Sequence, residues 1–173
     1  MRNYLGLPIT SNLLWIDHIN DIVQKASKRL CFLVQLKRAK LPLKDLVLFY
    51  TICIRSVVTY AIPVFFYALP KYLQCELERV QKRAFSIISP DITYLEALEE
   101  AGIPTINPYS ESMCHNVFNS IVSDKDNKLL KLLPATNHVP YDLRENRRFA
   151  IPEWKTNRFR NTFIMSSCIM NNG

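Results

Sequence analysis

The sequence predicts a mostly α-helical protein, and three observations support this prediction. The 173-residue chain has only 3 Gly against 10 Pro, which is a sparse supply of turn residues for an all-β fold. Hydrophobic residues make up 49% of the chain and charged residues 21%, a composition typical of globular rather than disordered chains. Apolar residues also recur at helical spacing along most of the N-terminal half.

Three long helical segments are expected to pack into a bundle over residues 15–90. The first runs from Trp15 to about Lys40, with one apolar stripe at Ile16, Ile19, Val23, Ala26, Leu30, Leu33 and Val34. The second runs from Leu43 to about Ile62, where Pro63 removes one backbone hydrogen bond and kinks or ends the helix. The third covers 71–89 and follows Pro70, a residue well suited to a helix start.

Shorter elements are expected on both sides of the bundle. Residues 1–14 hold a strand-like run closed by Pro8. Residues 91–133 hold short helices, the first of which begins with a capping box of Thr93 and Glu96 and ends at Gly102. Helical periodicity fades in residues 134–173, which are predicted to form an irregular, basic and aromatic C-terminal tail. The predicted fold is therefore a three-helix bundle with short helices and a tail.

The charge and the cysteines favour an intracellular protein with a polyanionic partner. The net charge is +7 and the pI is about 9.2, a weak indication taken alone. The five cysteines show no CxxC pair and no zinc-type Cys/His spacing, so reduced thiols in the cytoplasm or nucleus are expected. The first residues do not have the pattern of a secretory signal.

The apolar segment from Leu46 to Leu69 allows two interpretations. Its 24 residues contain a single charged residue, Arg55, and the length would suffice for a membrane span. Arg55 lies near the middle, where insertion into a bilayer costs roughly 2.5–3.5 kcal/mol. We therefore expect a buried core helix, with Arg55 reaching the bundle surface or an acidic partner, and no membrane partner. A membrane span is the alternative.

The sequence contains no recognisable catalytic constellation. A two-metal polymerase needs paired carboxylates on a tight hairpin, and the chain has no Asp-Asp pair. Glu99 and Glu100 are interpreted as a solvated surface, and three glycines cannot form a phosphate-binding loop. The three histidines form no metal-ligand motif. We expect no enzymatic activity, no cofactor, and no catalytic, cofactor-binding or metal-binding residue.

Basic residues are the positive signal for binding. Seven of them and no acidic residue lie between Ile22 and Lys44, and Lys25, Lys28 and Arg29 share one helical face. Such a face can contact phosphates or can simply be solvated. A second cluster lies in the tail, where aromatic residues could stack on single strands or anchor the tail on the core. This tail cluster comprises Arg144, Arg147, Arg148, Lys155, Arg158 and Arg160 with Phe149, Trp154 and Phe159.

Several motifs, in their order and spacing, resemble the region that follows the catalytic palm in reverse transcriptases of non-LTR (LINE-type) retrotransposons. The most distinctive is the run from Leu77 to Ala84, LERVQKRA. The others are Tyr4-Leu5-Gly6, Leu14-Trp15, His18-Ile19, Lys28-Arg29-Leu30, Tyr50, Ile54-Arg55-Ser56, Tyr60 to Val64, Leu69-Pro70, Tyr94, Ala97-Leu98, Gly102 to Thr105, and Arg158-Phe159. Phe65 departs from this pattern, because the family usually has Trp there.

The resemblance implies a thumb-like fragment that holds an RNA or DNA primer-template without performing catalysis. Residues 1–14 would then be a remnant of the primer grip, and a palm domain would be a missing partner in the same chain. The parent family would be RNA-directed DNA polymerases. The candidate nucleic-acid-binding residues are Lys25, Lys28, Arg29, Lys37, Arg38, Lys40 and Arg83.

A second resemblance covers about Ile22 to Val64. This stretch is similar to the N-terminal domain of AlkB-homologue repair proteins for alkylated nucleic acids. Two alternatives to the leading interpretation follow. One is a protein-interaction module derived from a retroelement, and the other is an AlkB-homologue-like N-terminal segment without its catalytic domain.

Overall fold

The computed structural model describes residues 2–4, 7–9, 15–136 and 149–172. The protein is mostly α-helical, which confirms the predicted fold class. The chain divides into two compact units. The first comprises Met1–Tyr60 and Leu69–Tyr109, and the second comprises Ala61–Ala68 and Ser110–Gly173.

The chain begins with two short strands. Strand β1 (Arg2–Tyr4) pairs antiparallel with β2 (Leu7–Ile9), and Arg2 lies opposite Ile9. A strand was expected at this place. The Leu5-Gly6 turn of the primer-grip resemblance lies outside the described residues.

Helices α1 (Ile16–Arg38) and α5 (Lys71–Ile88) pack against each other in the first unit. Both bury an apolar stripe at helical spacing, as predicted, but on α1 the predicted Ile16 is exposed and Ile22 is buried in addition. The buried apolar residues of α1 are Ile19, Ile22, Ala26, Leu30 and Leu33, and those of α5 are Leu73, Leu77, Val80, Ala84, Phe85 and Ile88. Lys37 Nζ donates to the Ile88 carbonyl over 2.7 Å, so the C-terminal ends of the two helices lie side by side.

The second helix of the first unit contains a π-helical segment. Helix α2 (Leu43–Phe49) continues through the π segment (Tyr50–Arg55) into α3 (Ser56–Val58). The buried residues Leu46, Tyr50, Ile54 and Val58 recur every fourth position. A π turn has i→i+5 hydrogen bonds and is wider than an α turn, and such turns often occur at functional sites.

The predicted break at Pro63 is wrong in position, because the helix ends at Val58 and Ala61 adopts a left-handed φ of 52°. Helix α4 (Ile62–Phe65) then begins with Pro63 in its first turn, where a backbone N–H is not needed. A 3₁₀ turn follows at Phe66–Ala68.

Helix α6 (Tyr94–Ala101) has the predicted ends. The Thr93 amide donates to Glu96 Oε2 over 2.9 Å, and the Glu96 amide donates to Thr93 Oγ1 over 3.4 Å, which completes the capping box. Gly102 ends the helix with a φ of 64°, a conformation that glycine adopts without steric cost.

The second unit has a small core built around Phe118, Phe149 and Cys168. Helix α7 (Ile106–Ser123) supplies Phe118, and a 3₁₀ turn follows at Lys128–Leu132. The prediction of an irregular tail is wrong for residues 157–170, which form helices α8 (Asn157–Arg160) and α9 (Phe163–Met170). Residues 163–170 are apolar almost all round, so they carry no 3.6-residue periodicity that would reveal a helix.

Within the described residues, one helical stretch, Leu43–Ala68, is long and apolar enough to cross a membrane by length and composition alone. Its most apolar part has a mean hydropathy of 1.7, and 33% of that part is buried within the protein. A core helix of a soluble protein meets the same criterion. The burial of Arg55 at 5% exposure inside the first unit favours the core-helix interpretation.

We expect the stability of the protein to depend on the protonation of His18. The side chain is 4% exposed beside Trp15. Burial lowers the pKa of His18 below its usual 6.5, although Asp21 partly opposes the shift. The unfolded chain therefore takes up a proton more readily, so this stability is complete above the unfolded pKa and is lost as the pH falls below it. Urea unfolding about one unit above and below pH 6.5 measures this loss.

Replacing His18→Phe should flatten the pH dependence of the unfolding free energy in this window. The matched control is His115→Phe, the same replacement of a histidine that is exposed on α7, and the effect of His18→Phe should be the larger of the two. Equal pH dependence in the parent and in the His18→Phe variant would contradict the assignment.

Candidate nucleic-acid interface

A buried hydrogen-bond network centred on Gln81 joins three parts of the first unit. Gln81 is 1% exposed. Its Oε1 accepts from the Tyr50 hydroxyl over 2.5 Å, and its Nε2 donates to the Tyr94 hydroxyl over 3.0 Å and to the Pro104 carbonyl over 3.2 Å. One amide thus connects α5 to the π segment, to α6 and to the loop after α6.

Glu78, one turn before Gln81, extends this network. One carboxylate oxygen accepts from the Tyr94 hydroxyl, and the other accepts from the Ile106 amide over 2.8 Å. Burial raises the pKa of Tyr50, and burial together with the Glu78 hydrogen bond raises the pKa of Tyr94. Both hydroxyls therefore stay protonated at physiological pH and remain able to donate.

Arg55 differs from its prediction, which placed it at the bundle surface or beside an acidic partner. Its Nη2 donates to the Pro104 carbonyl over 3.1 Å, and its guanidinium lies 4.0 Å from the centre of the Tyr109 ring. Among the described residues, no carboxylate forms an ion pair with it. A carbonyl dipole and an aromatic face therefore stabilise this buried charge in place of a counter-ion.

The sequence motifs of the polymerase resemblance meet in this network. Glu78 and Gln81 come from the run Leu77–Ala84, and Arg55, Tyr94 and Pro104 come from three other motifs. No functional role was predicted for Glu78, Gln81 or Pro104. One signal could have identified Gln81, because it is a polar residue inside the apolar stripe of α5.

Three of the seven predicted phosphate-binding cations are bonded within the protein. Lys25 forms an ion pair of 2.7 Å with Asp21. Arg29 Nη1 donates to the Cys53 carbonyl in the π segment, and Lys37 donates to the carbonyl at the end of α5. Arg29 and Lys37 therefore act as links between helices.

The other four predicted cations are Lys28, Arg38, Lys40 and Arg83, and we call them the uncommitted cations. All four are exposed, and none forms a side-chain hydrogen bond or ion pair with another described residue. Lys28 and Arg38 are both exposed on α1, and their side chains lie about 80° apart around the helix, because ten residues span about 2.8 turns. Arg83 lies five residues, roughly 7.5 Å, before Ile88, so it approaches the end of the bundle where Arg38 and Lys40 lie.

The tail cluster of basic and aromatic residues is only partly described. Arg144, Arg147 and Arg148 lie outside the described residues. Phe149 is 2% exposed, packs against Phe118, and has its backbone held by the Asn172 side chain, so it anchors the segment. Trp154 and Phe159 are exposed, and the Arg160 guanidinium lies over the Trp154 ring at 5.3 Å.

Among the residues that the structure describes, no group of three or more His, Cys, Asp or Glu side chains could hold a metal ion. Cys114 and Cys168 are buried, and burial raises the pKa of each thiol to about 11. Both thiols are therefore unreactive at neutral pH.

Comparison with protein families gives one match. Residues 15–56 match the family described as alkylated DNA repair protein alkB homolog 8, N-terminal. The matched segment covers α1, α2 and the π segment, which form one helical hairpin, and it supports the resemblance to AlkB-homologue N-terminal segments. Comparison with curated proteins and with solved structures gave no significant match.

Replacing Gln81→Ala should destabilise the protein by about 2–4 kcal/mol, because three hydrogen bonds are lost and the buried Tyr50 hydroxyl loses its acceptor. Chemical denaturation measures the free energy of unfolding. The matched control is Gln24→Ala on the exposed face of α1, which should change stability by no more than about 0.5 kcal/mol. Similar values for the two variants would show that the network is not a main source of stability.

Proposed function

We propose that this chain is a non-catalytic nucleic-acid-binding module, similar to the thumb fragment of a LINE-type reverse transcriptase. It would hold an RNA or DNA primer-template by its phosphate backbone, in the cytoplasm or nucleus. The observation that carries the proposal is the set of four exposed, uncommitted cations, three of which lie in residues 22–44, a stretch that includes no acidic side chain.

Exposed cations that are held at a fixed spacing are well suited to contacting the phosphate backbone of a nucleic acid. A lysine or arginine that contacts a phosphate releases condensed counter-ions, and this release provides most of the sequence-independent affinity. Arg29 and Lys37 fix α1 to its neighbours. Because these links and the Gln81 network hold the helices together, the uncommitted cations on α1 and α5 keep a defined spacing.

Under this proposal, the seven predicted cationic residues do not all have the same role. Lys28, Arg38, Lys40 and Arg83 contact phosphates, whereas Arg29 and Lys37 position the helices. Lys25 keeps a side-chain exposure of 58% but shares its charge with Asp21, so its contribution to binding is smaller. A palm domain with metal-binding carboxylates, joined in the same chain, would supply the polymerisation chemistry.

The family match favours a second candidate, an AlkB-homologue-like N-terminal segment without its catalytic domain. That family is described as an alkylated DNA repair protein. Both candidates therefore place the helical hairpin of residues 15–56 in a protein that acts on nucleic acid. They differ in what adjoins the segment, which is a palm in one case and a repair domain in the other.

Replacing the four uncommitted cations with glutamine should weaken binding to a primer-template duplex and reduce its salt dependence. Each lost phosphate contact lowers the slope of log affinity against log salt by roughly 0.7–0.9, so the slope should fall by about 3. Glutamine keeps the helix propensity of the replaced residues. Fluorescence anisotropy across a salt series measures the slope.

A second fourfold variant controls for the loss of net charge. It replaces Lys71, Lys125, Lys128 and Lys131, which are exposed and lie outside the proposed interface. Its slope should stay close to that of the parent, and circular dichroism should show equal helicity in both variants. Equal slopes for the two variants would refute the assigned interface.

Purified protein should extend no annealed primer in the presence of Mg²⁺ or Mn²⁺, because the sequence offers no paired carboxylates for two-metal catalysis. The assay follows labelled primer on a gel, beside a mock preparation from cells that lack the expression plasmid. Template-dependent extension above the mock would overturn the non-catalytic assignment.

A further inference from the structure

An open groove lies between α1 and the π segment in the first unit. Its volume is about 470 Å³, and its lining is predominantly apolar. The lining residues are Arg29, Phe32, Gln35, Leu36, Phe49, Ile52 and Cys53. This groove is distinct from the uncommitted cations, none of which lines it.

Large apolar side chains are exposed in and beside the groove. Phe32 is 58% exposed and Ile52 is 61% exposed, and both line the groove from opposite helices. Leu48, one turn before Ile52, is 55% exposed. Exposed apolar side chains gathered at one place, rather than scattered singly, are typical of an interaction surface.

The walls of the groove are rigid and helical. Arg29 lines the groove and donates to the Cys53 carbonyl on the opposite wall, so the two helices are linked at its base. Because both walls are helical, they present no strand edge for an extended peptide. A concave apolar channel between two helices instead suits a third helix, which would lay its apolar face into the channel.

The charges around the groove indicate which helix fits. Lys25 and Lys28 lie one turn before the lining residues Arg29 and Phe32 on α1, so they flank one end of the groove. At that end Asp21 is already paired with Lys25. Asp45 and Lys44 flank the other end, one turn before Leu48. The balance is positive, so an occupant with acidic side chains beside its apolar face is complementary to this rim.

We propose that this groove binds an amphipathic helix of a partner protein, with apolar residues at i and i+4 and acidic residues along one flank. Phe32 and Ile52 provide the main apolar contacts. A membrane surface is a poorer fit because the apolar side chains line a channel, and a nucleic acid is a poorer fit because the lining is mostly apolar.

The test uses a synthetic fluorescent helix of about four turns, with leucine at i and i+4 and glutamate on the flank. It should bind the full chain saturably. A second peptide, with each glutamate changed to lysine, should bind at least about tenfold more weakly. Phe32→Ala and Ile52→Asp should each weaken binding of the acidic peptide by about tenfold or more.

The matched control variant is Leu95→Asp, because Leu95 is 68% exposed on α6 and does not line the groove. It should bind the acidic peptide as the parent does.

Three results would overturn the proposal: no binding of the acidic peptide, equal binding of the two peptides, or equal effects of Leu95→Asp and Ile52→Asp. So would stronger retention on anionic vesicles than on the peptide, or a single-stranded oligonucleotide whose binding is lost in Phe32→Ala and Ile52→Asp. Neither groove variant removes an uncommitted cation, so both should keep the parental salt slope on duplex.

Discussion

The first unit depends on one side-chain amide. Gln81 connects α5 to the π segment, to α6 and to the Pro104 carbonyl, which also accepts from the buried Arg55. A buried polar group without partners costs about 1–3 kcal/mol, so the helices that meet here cannot slide without leaving several groups unsatisfied. The network therefore fixes one arrangement of helices that apolar packing alone would specify less tightly.

The basic residues of this bundle fall into two groups, those that link its helices and those that remain exposed. Arg29 and Lys37 donate to backbone carbonyls of neighbouring helices, and they add further links to the same bundle. Of the cations that remain, Lys28, Arg38 and Arg83 lie on helices whose spacing is already set, and Lys40 lies in the turn just after α1. A charged surface held in this way can contact a phosphate backbone without ordering itself first, which reduces the entropic cost of binding.

The bundle was predictable from the sequence because its helices bury stripes at helical spacing, and the α6 caps were predictable from Thr93, Glu96 and Gly102.

The break at Ala61 was missed because the left-handed conformation there is adopted by an alanine, for which no local sequence rule gives a signal. Helix α9 was missed because it is apolar on nearly all sides. Arg55 was misplaced because its partners, Pro104 and Tyr109, are distant in sequence and carry no charge. The spacing of basic residues in the sequence indicated the candidate cations of the nucleic-acid interface. The sequence alone could not show which of these cations bond to backbone carbonyls.

Lysine footprinting tests the central claim most directly. Brief acylation of the full chain, with and without a primer-template duplex, gives the reactivity of each amine by mass spectrometry. We expect the duplex to lower the reactivity of Lys28 and Lys40 and to leave the reactivity of Lys71, Lys125 and Lys131 unchanged. Lys37 should react slowly in both samples, because its ammonium is bonded to the Ile88 carbonyl. Protection spread evenly over all lysines, or no protection at Lys28 and Lys40 under conditions where the duplex is bound, would contradict the account.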